Sequence, residues 1–590
     1  MGEPTHPSPP PQHTVPKHTM WKVILSCFLV AVYAAAQICP LPGPAFPAPQ
    51  ASVSGTAWDR ATKKFLLGLK NVYHPDLNSQ KDPAIDPDVI SFTIQFYNAR
   101  DSQPLFEYYH TATSARNNTI GVNKVDEDTV FRTASCSKVW TVLLLLIETG
   151  HATFHDPIVN YIPELREAIE TRSNDRDFDE LDLVSWDEVT IGELASQMSG
   201  IERQYGIGDL GLNAQLMESL GFPSLDDSDL PLCSLDPACT RAEFLSGILD
   251  RHPVFPVSSS PAYSNDAYQL LAYALETITG ESYEELLNTR LIDPLGLSRS
   301  SFGKPDDQLG IIPVNSAGWD MDIGDVTPAG GIYSSTKDMT TVGRAILNHD
   351  LISPAETRRW LKPVAQTSEI GFLVGAPWEI FSLTKPRFIS LYTKAGDIGN
   401  YSAMMGLSPD HAAGFTILAA GQGNTLAVMT IADLISKYLI PALDEVAKEE
   451  ADDRFAGTYQ CKSTNSSLII STDDEPGLLI TRWINNGKDI LNVIPSLQLG
   501  PPPDTTDLRL FPAGLEYDGK LSFRSVSASG FGSGPNCGPI TSACRSWMLV
   551  DGSIYGGIGM DEFVFETGTD GRAVGVSPRA MRVYLTKDSP

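Results

Sequence analysis

The segment SKVWTVLLLLIET, residues 137–149, constrains this chain more than any other. It is apolar on nearly every side and stops at Gly150, so it reads as a helix with no face suited to water. Such a helix needs a domain large enough to surround it. The chain supplies one: 590 residues, 42% hydrophobic and 19% charged. Length alone suggests up to about four domains. The net charge of −29 does not come from a disordered acidic protein, because the apolar content is too high. An acidic surface repels phosphate, so neither nucleic acid nor an anionic membrane is an expected partner.

Periodicity outlines the organisation. Residues 88–97 (DVISFTIQFY) read as a strand, with 106–111 as a partner. Helical patterns fall at 190–198, 241–250, 265–279, 283–290, 337–348 and 426–449. Strand-like runs return between 388 and 421. Strands at both ends with helices between predict one α/β unit whose first and last strands share a sheet. Beyond the charged run 445–454, short alternating segments separated by Gly, Pro, Asn and Asp predict an all-β module, sandwich or barrel. The expected division is 1–36 leader and signal peptide, 37–57 Pro/Ala-rich tether, 58–449 α/β domain and 450–590 all-β domain.

The N-terminus predicts a secretory route. Lys17 and Lys22 flank the start of an apolar run of about 14 residues, too short for a comfortable span. Ala34, Ala35 and Ala36 form a small-residue cleavage signal before Gln37. Cleavage there leaves a charge of −30, no stable membrane span and seven cysteines. Sequons stand at Asn117, Asn400 and Asn465. Cys233 with Cys239, and Cys537 with Cys544, each bracket a short Pro-containing loop and are expected as local disulfides. Cys39 and Cys461 remain as a candidate long-range pair, and Cys136 is expected as a buried free thiol.

Ser135 and Lys138 open the apolar helix as S-x-x-K, three apart on one face. The helix N-terminus favours negative charge at the hydroxyl, and a buried lysine beside it can take a proton or hold an alkoxide. This pattern alone is weak, since Ser301 with Lys304 and Ser334 with Lys337 also fit it. Order breaks the tie. Tyr263-Ser264-Asn265 lies 128 residues after Ser135, just ahead of a helix, and Lys394-Ala395-Gly396 lies 131 residues further, at the end of a strand. S-x-x-K, then Y-x-N, then K-x-G is the motif order of serine penicillin-recognising enzymes. Over roughly 85–440 the chain resembles the β-lactamase-related serine hydrolases of the class C β-lactamase and D-alanyl-D-alanine carboxypeptidase branch. The flanking text TIGELASQMSGI, YSNDAYQLLAYALETITG and TPAGGIYSSTKDM shares that resemblance.

The resemblance implies an antiparallel sheet flanked by helices and no cofactor. It implies Ser135 as the nucleophile, Lys138 as stabiliser of deprotonated partners and Tyr263 as the proton carrier. A phenol ordinarily titrates near 10, and cations at Lys138 and Lys394 would lower that. Asn265, Lys394 and Gly396 would bind substrate, and the backbone N–H groups of Ser135 and Asp397 would form the oxyanion hole. Ala395 stands where many relatives carry a hydroxyl that binds the β-lactam carboxylate, which argues against β-lactam cleavage. The Asp397 carboxylate must point away or be paired. Asn400 falls beside the expected site strand, so poor glycosylation is expected there. His151, His155 and Asp156 could suggest a metal, but Gly150 ends the helix and GHATFHDP resembles a loop of the family, so none is expected. The C-terminal module resembles lipocalin-like accessory domains that open with FAGTY and is expected to pack for stability. The expected function is a secreted serine hydrolase acting on a small-molecule or peptide ester or amide through acyl-Ser135. An acyltransferase or macrocyclising esterase would use the same intermediate, and a silent binding protein would keep the same fold. These alternatives stay open at this level.

Overall fold

The computed structural model describes residues 39–49, 55–73, 85–117, 119–172, 181–234, 238–314, 317–497, 507–527, 540 and 543–588. The expected signal peptide and Cys537 lie outside the described residues. The chain divides into two units: 48–446, and 447–588 with the segment 39–47.

The strands of the first unit are β1 (Ser91–Asn98), β2 (Pro104–His110), β3 (Val130–Arg132), β4 (Tyr333–Ser335), β5 (Ala365–Gln366), β6 (Phe372–Val374), β7 (Glu379–Leu383), β8 (Ile389–Ile398), β9 (Tyr401–Ser408) and β10 (Ala413–Ala420). Eight form one antiparallel sheet in the order β2-β1-β10-β9-β8-β7-β6-β5, and β3 pairs with β4. The first and last long strands are neighbours, Phe92 opposite Ala419 and Phe96 opposite Phe415. Every residue of β1, β9 and β10 is buried. Helices cover both faces of the sheet, which is why the alternation in the sequence is only partial. One face carries Phe92, Ile94 and Phe415 into a core shared with helices Thr56–Tyr73 and Asn424–Leu434. The other faces the larger core around helix Ser137–Thr149, which is buried from Ser137 to Leu146 and capped by Gly150, whose N–H donates to the Leu146 carbonyl.

The second unit is strand-rich rather than all-β: it is a closed barrel that also carries the helix Ile490–Leu497. Ser466–Ser471 pairs with Gly457–Cys461 on one side and with Leu478–Asn485 on the other, so the sheet returns on itself. Closure removes exposed strand edges. Phe455, Tyr459, Phe523 and Phe565 pack edge to face inside it, with ring centroids 5.0–6.0 Å apart.

Three expectations need correction. Cys544 does not pair with Cys537 but with Cys39, at a Cα separation of 5.3 Å, and Cys461 is a free thiol. The expected tether is ordered over 39–47: Ala45 and Phe46 are buried in the barrel core, and the Ser546 hydroxyl donates to the Pro40 carbonyl at 2.9 Å. Short spacing makes a local loop cheap to close, but packing of this distant segment decides which sulfurs meet. Cys233–Cys239 forms as expected, and Cys136 is buried and free.

A buried ionic cluster ties the end of the sheet to helix Ile440–Phe455. Arg387, 3% exposed at its side chain, donates to Asp410 Oδ2 at 2.7 Å and to Asp444 Oδ1 at 3.1 Å. His411 bridges Asp444 (2.9 Å) and Ser408 (2.8 Å). Burial raises the Asp444 carboxyl, but His411 and Arg387 overcome it and hold the group below its ordinary range. Ser408, His411 and Asp444 thus form a hydrogen-bonded Ser-His-Asp chain, but Ser408 is fully buried, so the group is structural. Arg387→Ala leaves Asp410 without its buried cation and Asp444 with His411 alone, and should cost about 3–5 kcal/mol in denaturant unfolding; a loss under about 1 kcal/mol, the surface-pair range, would refute this.

Candidate active site

The turn that carries Ser135 is built from β3. After Arg132 the chain passes through Ala134, whose φ of +46° lies in the left-handed region, into the short turn Ala134–Cys136 and then helix Ser137–Thr149. A non-glycine residue there stores about 1–3 kcal/mol of strain, held by its surroundings. Those surroundings include β8. A Cβ on Gly396 would stand 2.5 Å from both Ser135 N and Thr133 O, so only glycine allows the strand so close. The Cys136 thiol donates to the Lys394 carbonyl at 3.1 Å, and burial pushes that thiol up to about 12, leaving it inert.

Two proton-handling groups converge on Ser135 Oγ. The Tyr263 hydroxyl donates to it at 2.8 Å and Lys138 Nζ at 3.2 Å. Lys138 is wholly buried, and its ammonium also donates to Asn265 Oδ1 and to the Ala329 carbonyl, both at 2.7 Å. Asn265 is oriented in turn: its amide donates to Gln204 Oε1 at 2.8 Å, and its backbone N–H to the Arg203 carbonyl at 2.7 Å. Burial opposes the Tyr263 phenolate, but Lys394 and Lys138 outweigh it and bring the phenol down to about 8. Burial likewise brings Lys138 down to about 8, with Tyr263 opposing and Lys394 reinforcing. The ring of Tyr263 has three cations about it: Lys138 Nζ at 4.9 Å, Arg203 Cζ at 5.0 Å and Lys394 Nζ at 5.3 Å from its centroid.

Lys394, only 2% exposed, donates to Glu379 Oε1 at 2.5 Å and to the Ala395 carbonyl at 2.6 Å. The other Glu379 oxygen accepts the Ala395 N–H at 3.0 Å. β7 begins at Glu379, opposite Thr393, so no β7 residue pairs with β8 from Ala395 onward. Asp397 lies on that open stretch. Its carboxylate accepts the Thr425 hydroxyl at 2.5 Å, so it is paired.

One cleft of about 810 Å³ is lined by Ser135, Tyr263, Asn265, Lys394, Gly396 and Asp397 together, with Lys138 beneath its floor. Gly396 serves as a packing contact for the turn that carries Ser135. Glu379, Arg203 and Gln204 belong to the site and were not expected. Glu379 has no fixed spacing to a motif; only the β7–β8 register brings it beside Lys394. Asn117 and Asn465 are exposed, while Asn400 is half-buried, its N–H donating to the Ala317 carbonyl and its carbonyl accepting the Gly421 N–H. His151 is engaged by Glu356. Among the described residues no group of three His, Cys, Asp or Glu is placed to hold a metal.

Comparison with known proteins follows the same division. A family model described as Beta-lactamase matches residues 92–438, and one described as Beta-lactamase-like-like, C-terminal domain matches 447–589. A "Beta-lactamase-like protein" of Arthroderma benhamiae is 28% identical over 531 residues, 82% of this chain and 86% of its own. "Probable hydrolase M10" of Phoma sp. is 30% identical over 416 residues, 67% of this chain and 66% of its own. Among solved structures, a class C beta-lactamase from Rhodobacter sphaeroides aligns with a TM-score of 0.45 at 17% identity, covering 65% of this chain and 100% of its own.

Gly396→Ala should destabilise the first unit by about 1–3 kcal/mol, because the atoms it strikes are backbone. It should also slow covalent labelling of Ser135 by serine-directed probes. Wild-type melting together with wild-type labelling would show that the close approach is unnecessary.

Proposed function

The chain belongs to the β-lactamase family of serine hydrolases, and on that premise we propose that it cleaves an ester or amide through an acyl-Ser135 intermediate. The observation that carries this reading is the convergence of Tyr263 and Lys138 on one serine oxygen. As phenolate, Tyr263 takes the Ser135 proton while Oγ attacks the carbonyl carbon. Negative charge then grows on the carbonyl oxygen, and the backbone N–H groups of Ser135 and Asp397 are its donors. As the bond to the leaving group breaks, Tyr263 returns the proton to it. Water, activated by the same phenolate, releases the acid from Ser135 and restores the serine. Lys138 keeps its charge beside Oγ throughout, and Asn265 holds that ammonium in place.

A secreted protein is part of the proposal. The N-terminal apolar run and its cleavage signal support it, as do exposed sequons at Asn117 and Asn465 and two disulfides, a pattern suited to oxidising compartments. The name of the Phoma relative, a probable hydrolase, is consistent with hydrolysis.

A fluorophosphonate probe should label Ser135, and Ser135→Ala should abolish both labelling and ester turnover. Tyr263→Phe should lower kcat/KM by about 10²–10⁴-fold, the usual range for a lost general base. Labelling of a different serine would refute the assignment.

The pH profile follows from the depressed phenol. The base form of Tyr263 exists above its shifted value, whereas Lys138, shifted into the same range, must keep its proton, so kcat/KM should rise with pH to a maximum at about 8 and fall beyond it. Tyr263→Phe should remove the rising limb. A wild-type profile with no rising limb below about 8 would exclude the phenolate as base.

A further inference from the structure

Lys394 presents no free ammonium to the cleft. Glu379 takes its Nζ on one carboxylate oxygen and the Ala395 N–H on the other, so both donors at the rim of β8 are already engaged by an internal anion. Burial draws the Lys394 ammonium toward losing its proton, and Glu379 overcomes this, so the contact is an ion pair. A substrate carboxylate would have to displace Glu379 or lie against it, and like charges at contact in a partly buried site are unfavourable. The rest of the lining adds no welcome for an anion. Its charged groups are Glu379, Asp397 and Asp433 against Lys394 and Arg203.

The same cleft continues past the nucleophile into apolar surroundings. Phe381 and Leu383 of β7, Leu391 of β8, Met404 of β9 and Phe415 of β10 share its lining with Met429 of helix Asn424–Leu434. Phe381 stands opposite Leu391 in the ladder, which puts both on one face of the sheet. Position 395 carries a methyl group rather than a hydroxyl.

We propose that Glu379 fills the anion subsite beside Lys394 and that the cleft selects an ester or amide that is uncharged there and carries an extended apolar arm. This rests on the hydrolase reading and deepens it to a substrate class. Glu379 acts through Lys394 and through exclusion, as a specificity-determining residue.

The test uses the full chain and p-nitrophenyl esters. The butyrate and the monosuccinate have the same chain length and differ by a carboxylate. The wild type should favour butyrate by at least about tenfold in kcat/KM, and Glu379→Gln should shrink that ratio by at least about fivefold. Lengthening the chain from acetate to octanoate, on the acyl side in p-nitrophenyl esters or on the alcohol side in alkyl acetates, should raise kcat/KM by at least about tenfold. Met429→Trp, at a half-exposed position, should erase that gain without unfolding the protein. If Glu379→Gln fails to fold, the wild-type ratios and the Met429 variant still decide. Equal use of butyrate and succinate by an active wild type would overturn the proposal, as would no gain with chain length on either side. So would a folded, probe-labelled Glu379→Gln with an unchanged ratio. A wild type that takes no probe at Ser135 would instead strike the hydrolase reading itself.

Discussion

A lysine ammonium buried away from water is the interaction on which the first unit's site depends. An uncompensated buried charge is costly, and it survives only when its hydrogen-bonding capacity is met. Lys138 meets it with three acceptors from three places: Ser135 on its own turn, Asn265 at the start of helix Asp266–Thr279, and the Ala329 carbonyl. The charge therefore fixes the distance between elements far apart in sequence. The all-apolar helix behind it is part of the same design, because it supplies the dry surroundings that make the ammonium labile; the neighbouring phenol is acidic in spite of burial, through the charges of Lys394 and Lys138.

Around this centre the charges are ordered by partner. Lys138 faces neutral oxygens and remains poised near its proton-transfer range. Lys394 faces a carboxylate and is held firmly charged. Both lower the Tyr263 phenol, but only Lys138 donates to the serine oxygen. The two lysines of the motif set are thus different instruments: one donates to the Ser135 oxygen, the other contributes field while Glu379 and the Ala395 carbonyl hold its ammonium.

The second unit shows how burial overrides local sequence logic. Cys537 and Cys544 look like partners because the loop between them is short. Yet Ala45 and Phe46 have a place in the barrel core, and with them comes Cys39. The hydrophobic gain of seating that segment decides the pairing, and nothing in the spacing of cysteines reveals it.

Periodicity and motif order were enough to show a helix without a wet face, strands at both ends of one unit, a separate β module, and the residues that gather around one serine. These are local or ordered signals: apolar spacing reports the face a helix buries, and Ser135, Lys138, Tyr263, Asn265 and Lys394 come from short motifs read in order. The short strands β5 to β7 were not legible, because segments of two to five residues carry too little pattern. Glu379 was hidden with them, since its role exists only through the register that sets it opposite Thr393. The sequence by itself determined which groups gather around Ser135. Only the tertiary structure decided how each is charged, which cation meets the serine oxygen and which cysteines join, because those outcomes depend on burial and contact between residues that the chain keeps far apart.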